Sequence, residues 1–534
     1  MNLPPAGRST EDLLAEIARL KEHDLPVRGG QVTAYVYDTG RAAVHDAATR
    51  AYLEMLEVNC LDPTAFPSVV AMERQVVGAV SDLLGGGHGI FTSGGTESIM
   101  LAVKAARDFA AAKDRATADS ATADSATADS ATADGATADG ATADSATADG
   151  ATADGATADS ATADGAARRL APGERPNLVL PVTAHPAFHK AAHYLGVEVK
   201  PVPVDLETYK VRPGDVAAAI DERTILVVVS APSYPQGVID PVEEVAALAA
   251  RAGIPCHVDA CVGGWLLPWL REAGAPVPPF DLSVPGVTSL SCDLHKFGYA
   301  PKGASVLLFA DPAMRRKAYF ASADWPGYTI INATVQSSRS AGPLGGAWAT
   351  LQALGREGYL ELGRATWEAT RRLRDGLSGI PGLRVLGEPE SSLVAFTGAD
   401  VDVFVLADEA RARGWFLQPQ LSYAGIPANL HVTVTGVTLA GVDAMLKVIA
   451  ESAHAARERG PAVLPEGLVE LVAGLDLEAI DDATFAELSA SVGVDLRPGS
   501  GQPEMAMVNA VLDALPPASR EAVLVRFLSV IYGD

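Results

Sequence analysis

The apolar positions change their period along the chain, and each change marks a new kind of element. Residues 10–23 place Leu13, Leu14, Ile17 and Leu20 at helical spacing behind a capping start. After a loop through Gly29-Gly30 the same period returns at 44–59 and 68–84. Ser93–Ser98 then opens another helix, whose apolar face runs Ile99, Val103, Ala106 and Ala110. From Asn177 the apolar runs become short and continuous, predicting strands at 177–181, 197–202, 224–230, 255–258, 287–291 and 305–309. Helical stretches at 186–195, 214–220 and 241–252 lie between several of them. Such alternation predicts a mostly parallel sheet covered on both faces. Beyond about residue 320 a helix at 345–380 precedes strands near 383–386, 392–397 and 401–405 and a helix at 439–456. A helical tail follows over 465–534, with Pro/Gly breaks near 498–503. The expected organisation is an N-terminal helical segment (1–80), a large α/β domain (81–320), a smaller α+β domain (321–460) and a helical extension (461–534).

One segment obeys neither period. Residues 116–165 are ten tandem copies of Ala-Thr-Ala-Asp-Ser/Gly with no large apolar residue. Such a tract cannot bury a core, so it reads as a disordered, solvated insertion in a surface loop. A flexible insertion adds only about 0.6 kcal/mol of closure entropy per doubling of length.

The array also distorts the charge balance. The 534-residue chain carries −25, and −15 without the ten aspartates of the array. That acidity argues against nucleic acid and anionic membranes as partners. Residues 1–25 lack a basic start and an apolar run, and the Ile225–Val229 stretch is too short to span a bilayer. A cytoplasmic protein without a transmembrane anchor is the expectation. Cys60, Cys256, Cys261 and Cys292 form no CxxC pair, so reduced thiols are expected and no metal site.

Candidate chemistry falls at the predicted strand ends. Gly94-Gly95-Thr96 would let backbone N–H groups at a helix start approach a phosphate. His185, in Ala184-His185-Pro186, can stack on an aromatic ring, although a lone histidine there is more often structural. Asp259 closes a buried strand in His257-Val258-Asp259-Ala260-Cys261, where a carboxylate needs a partner or caps a helix. Lys296 directly follows His295 at the end of an apolar run, ahead of a Gly/Pro-rich loop. Alone, that dipeptide reads as a solvated pair. In this order, however, the four pieces are what a pyridoxal 5'-phosphate (PLP) site requires. The glycine loop and His295 would hold the phosphate, His185 would stack on the ring, Asp259 would pair with the ring nitrogen, and Lys296 would carry the cofactor. Burial is expected to lower the lysine pKa from its usual 10.4 and so to make the amine nucleophilic. The fold implied is the aspartate-aminotransferase-like fold type I, with ligands at the carboxyl ends of strands.

The chain resembles the sphingosine-1-phosphate lyase family, within the group II PLP decarboxylases. The likeness runs from about residue 30 to 350 outside the array. It rests on Phe91–Ser98, Ala184–Ala192, Gly237–Pro241, His257–Gly264, Asp293–Gly303, Asp324-Trp325 and Ser338-Arg339. It implies a homodimer with shared active sites, in which the Gly342 region of the partner chain helps to hold the phosphate. It also implies that Lys302 faces a substrate phosphate and that Tyr37 reaches in from the other subunit. The implied reaction is retro-aldol cleavage of a phosphorylated long-chain base to a fatty aldehyde and phosphoethanolamine. Three positions depart from the family pattern. Asp62 stands where a phosphate-contacting histidine is usual, Ile330 replaces a mobile tyrosine for which Tyr328 could substitute, and Gln236 replaces a histidine before Gly-Val-Ile-Asp-Pro. Asp62 would repel a phosphate, which leaves two alternatives: amino-acid decarboxylation or cleavage of another amino alcohol, or a catalytically degenerate homologue.

Overall fold

Seven strands form the central sheet, and its inner strands are buried on both faces. The seven are β1 (His88–Thr92), β2 (Asn177–Pro181), β3 (Glu198–Val202), β4 (Thr224–Ser230), β5 (Cys256–Asp259), β6 (Val287–Cys292) and β7 (Ser305–Phe309). Every residue of β2, β4, β5 and β7 is buried. The spatial order is β1-β7-β6-β5-β4-β2-β3, with β7 antiparallel to both neighbours and the β6-β5-β4-β2-β3 pairings parallel. The computed structural model describes residues 3–62, 64–131, 173–477, 479–491 and 504–533.

Around the sheet lie α1 (Thr10–Leu20), α2 (Ala42–Glu54), α3 (Pro67–Leu83), α4 (Gly95–Ala131) and α5 (Ala187–Leu195), among others. β1 was not anticipated. It is five residues long, starts on an exposed histidine and a glycine, and follows three further glycines, so it carries little apolar signal.

The array departs from its expected form at its near end. Helix α4 continues through the first three copies to Ala131. Alanine is the strongest helix former, and those copies end in Ser, whereas the fourth is the first to carry Gly. The remaining copies lie outside the described residues.

A second, four-stranded antiparallel sheet forms the smaller domain from β10 (Leu383–Val385), β11 (Leu393–Gly398), β12 (Gln418–Gln420) and β13 (Asn429–Thr433), in the order β10-β11-β13-β12. Between the sheets, β8 (Phe320–Ser322) and β9 (Ile330–Asn332) make a hairpin. The strand expected near 401–405 is instead the start of a helix, Val403–Ala412. Asp402 accepts hydrogen bonds from the Phe404 and Val405 amides, and this N-cap overrides the β-branched run that follows. The long helix Gly342–Ser378 spans the predicted 345–380, with non-helical backbone at Gly355. Four short helices follow residue 465, and the expected breaks at 498–503 lie outside the described residues. Among the described residues no helix is long and apolar enough to cross a membrane.

Candidate active site

The parallel strands deliver their chemistry to one end of the sheet. Just past the ends of β1, β2, β4, β5 and β6, a cavity of about 360 Å3 is lined by Gly94, Gly95, Thr96, His185, Tyr234, Asp259, Asp293, His295 and Lys296, among others. The four sequence elements that define a PLP site therefore meet, although they are separated by up to two hundred residues.

Gly95 begins α4, and its lack of a side chain is a steric demand. A Cβ there would stand 2.7 Å from Cys261 Sγ and 2.9 Å from Asp293 Oδ2. The helix start is fixed by Glu97, a residue the sequence reading gave no role. Its Oε2 accepts from the Ser93 amide at 2.7 Å and its Oε1 from the Val335 amide at 2.8 Å. Amide donors, a helix dipole and a glycine cradle suit a phosphate.

His185 Nδ1 accepts from the Ala187 amide at 3.2 Å, which leaves the proton on Nε2. Burial lowers its pKa, more than the Asp259 charge restores, so the ring is neutral and suited to stacking. Asp259 is buried, and its Oδ1 accepts from the Cys261 amide at 3.1 Å. Its β5 neighbour His257 bonds Ser289 at 2.9 Å and Ser291 at 3.3 Å, and burial pushes its pKa down to about 4.

Lys296 corrects the expectation about its acidity. Burial alone would make the ammonium shed its proton, but nearby anions outweigh that effect, Asp293 foremost, and the pKa is raised. The amine lies 3.0 Å from Asp293 Oδ2. Its side chain keeps 21% exposure, so the amine remains reachable from the cavity. His295 accepts from the Ala304 amide at 3.3 Å, and burial pushes its pKa down. These groups fit the cofactor: a helix-start cradle for phosphate, a neutral ring, a buried carboxylate and a reachable lysine share one cavity.

Lys302 and Tyr37 sit next door. They line a second cavity of about 430 Å3 that shares His295 with the first. Lys302 Nζ lies 5.0 Å from the Tyr37 ring centre and donates to the Tyr35 carbonyl at 3.1 Å and the His295 carbonyl at 3.4 Å. Tyr37 packs edge-on against Phe297 at 5.1 Å. It lines the second cavity of its own chain.

Three expected residues line neither cavity, and Gly342, expected to act from a partner chain, has its own place in the fold. Asp62 is exposed and spends its Oδ1 on the turn it starts, accepting from the Thr64 amide and hydroxyl and the Ala65 amide. Those bonds hold its pKa below the ordinary carboxylate value. Tyr328 is exposed between β8 and β9, where its carbonyl accepts from Trp325 Nε1 at 2.6 Å. Gln236 is buried but lines neither cavity. Gly342 starts the long helix beneath Tyr52, whose ring would stand 2.9 Å from an added Cβ.

Two residues entered the site unannounced. Tyr234 lines the cavity and stacks on His431 of β13, with ring centres 4.3 Å apart and planes at 21°. Burial raises its phenol pKa. Only the docking of the smaller sheet onto the Ser230–Asp240 loop creates that pair, so no local sequence signal could have shown it. Asp293 did carry a signal, since it stands three residues before the lysine.

Residues 151–398 match the family model described as the pyridoxal-dependent decarboxylase conserved domain, and 466–530 match one described as a C-terminal HTH domain of pyridoxal-dependent enzymes. The chain is 35% identical over 437 residues to a sphingosine-1-phosphate lyase of Dictyostelium discoideum, covering 81% of this chain and 70% of that protein. Against the Drosophila melanogaster enzyme of the same name the identity is 34%, with 81% and 69% covered. The solved Burkholderia pseudomallei sphingosine-1-phosphate lyase superposes with a TM-score of 0.70 at 32% identity, covering 86% and 93%. A Lactobacillus brevis glutamate decarboxylase shares the fold alone, with a TM-score of 0.66 at 17% identity over 86% and 96% of the two chains.

Proposed function

The chain belongs to the sphingosine-1-phosphate lyase family of PLP-dependent enzymes, and from that premise we propose that it cleaves the C2–C3 bond of a phosphorylated long-chain amino alcohol. The products are a fatty aldehyde and phosphoethanolamine. The observation that carries the reading is the junction of the two cavities at His295. A cofactor cradle with Lys296 on one side meets a cationic, aromatic mouth of Lys302 and Tyr37 on the other.

When bound, PLP supplies an electron sink for the carbon left after bond cleavage. The protein's own groups do the rest. Gly94, Gly95 and Thr96 would hold the cofactor phosphate at the start of α4, with His295 beside them. Asp259, held by the Cys261 amide, would pair with the ring nitrogen. Neutral His185 would stack on the ring. Lys302 already donates to two carbonyls and keeps a third ammonium proton for a substrate phosphate. Burial lowers the Lys302 pKa, and the Lys296 charge adds to that effect, so an arriving phosphate dianion relieves the strain of two neighbouring cations.

The proposal includes a cytoplasmic homodimer. Its support is an apolar face that no described residue covers: α1 buries no residue, and Leu13, Leu14, Ile17 and Leu20 are 45–72% exposed. Four free thiols, three of them buried, suit a reducing compartment.

The deciding test is a product assay with sphinganine-1-phosphate beside a panel of unphosphorylated amino alcohols and amino acids. Release of a long-chain aldehyde, lost in Lys296→Ala, is expected. Carbon dioxide from an amino acid, without aldehyde, would refute the lyase reading.

A further inference from the structure

Asp293 has no part in the reading above, yet it forms the ion pair with the lysine on which that reading turns. Its buried carboxylate follows β6, with Oδ2 3.0 Å from Lys296 Nζ and 3.6 Å from His295 Nε2. Among the described residues Oδ1 meets no donor in hydrogen-bonding geometry, and the nearby Ser305 hydroxyl donates to the Cys292 carbonyl at 3.2 Å. A carboxylate so placed is costly unless a cation faces it permanently.

The other groups facing Lys296 cannot serve as that cation's partner. Burial raises the pKa of the Cys261 and Cys292 thiols and of the Tyr37 and Tyr234 phenols, so all four stay neutral. Burial lowers the pKa of His185 and His295, which are neutral too. Lys302 is itself cationic. Asp259 already engages the Cys261 amide at 3.1 Å and the Ser291 hydroxyl at 3.5 Å.

We propose that Asp293 is a positioning residue, a fixed counter-ion that keeps one positive charge on the Lys296 nitrogen before and after the cofactor attaches. The inference rests on the proposed PLP reading. Its chemistry balances overall: two of the ammonium's three protons leave with the cofactor's carbonyl oxygen as water, and the third ends on the nitrogen of the new C=N bond. The ammonium has no lone pair, so it first passes one proton to Asp293 Oδ2, 3.0 Å away, and the freed amine attacks the aldehyde carbon. Asp293 gives that proton up as the oxygen departs, so it faces a cation at the start and at the end. Asp259 then serves the ring nitrogen and Asp293 the lysine nitrogen, which divides the two carboxylates by task.

The test is a pH titration of the visible absorbance of the PLP-loaded protein, which reports the proton on the linking nitrogen. Asp293→Asn should move the midpoint down by at least about one unit, a tenfold loss of proton affinity. Asp293→Glu should restore most of the shift, and Asp259→Asn should move the midpoint less than Asp293→Asn. An unmoved midpoint in Asp293→Asn, or a larger shift in Asp259→Asn, overturns the assignment while the PLP reading stands. A second measurement covers a variant that does not fold. In the cofactor-free wild type, acetic anhydride labelling of Lys296, followed by mass spectrometry, should reach half-maximum only above the range of exposed lysines. Half-labelling at or below that range overturns the counter-ion role. No visible band in the PLP-treated wild type would sink the cofactor reading instead, and the labelling arm still decides about Asp293.

Discussion

At the scale of single residues, the site is held by contacts that leave no slack. Gly95 is the clearest case, since any side chain must displace the Cys261 thiol and the Asp293 carboxylate together. Gly95→Ala is therefore expected to weaken PLP binding at least about tenfold, or about 1.4 kcal/mol, as read from a fluorescence titration of the apoprotein. Its thermal unfolding should fall as well, because the buried thiol and carboxylate must give way to the methyl group. Lys296, Asp259 and His185 were legible in the sequence, because each sits at a strand end and their order along the chain is that of a known chemistry. The electrostatics were not. The lysine's apolar neighbours in sequence suggested a lowered pKa, while its spatial neighbour Asp293 raises it. Asp62 illustrates the reverse: a residue aligned with a binding position turns out to be spent on its own turn.

At the scale of elements, continuous apolar runs such as Thr224–Ser230 and Ser305–Phe309 announced the sheet with their bounds intact. Elements governed by a single polar cap did not announce themselves, as the helix Val403–Ala412 shows. The C-terminal extension is tied down by caps of the same kind. Buried Asp408 accepts from the Met505 amide at 3.0 Å and the Ala506 amide at 2.7 Å, and Asp513 accepts from the Ser422 hydroxyl at 2.8 Å. Removing residues 466–534 would leave the Asp408 carboxylate without these donors. A loss of about 1–3 kcal/mol is expected in urea unfolding of the smaller domain, and Asp408→Asn in the truncated chain should recover part of it. The matched HTH region carries eleven Asp and Glu against three Arg and no Lys. A polyphosphate backbone is repelled by such a surface, so the extension reads as a structural buttress of the smaller domain.

At the scale of the whole molecule, three buried groups carry the largest shifts that bear on acid stability. Burial depresses His257 and His431 from 6.5 to about 4, so the unfolded chain takes up protons that the folded one refuses. Each costs up to about 3 kcal/mol as pH falls from 6.5 to 4. Asp240 works the other way. Burial raises it from 3.8 to about 6, so its folded form gains a proton first and offsets about 3 kcal/mol over much of the same window. These three together predict a loss of about 3 kcal/mol between pH 7 and 4, measured by urea midpoints, and the lowered His185 and His295 add to it. His431→Gln should flatten that slope, and Asp240→Asn should steepen it. The repeat array stands apart from this balance. Cutting out residues 116–165 is expected to leave the PLP dissociation constant within about twofold; a larger change would show that the array acts on the site. The attachment is the reason for that expectation, because α4 starts at the phosphate cradle and runs some 30 Å before the first copy. Each unit adds five residues and one aspartate, and at that distance, several screening lengths from the cradle, its charge is expected to reach the cofactor's site only weakly.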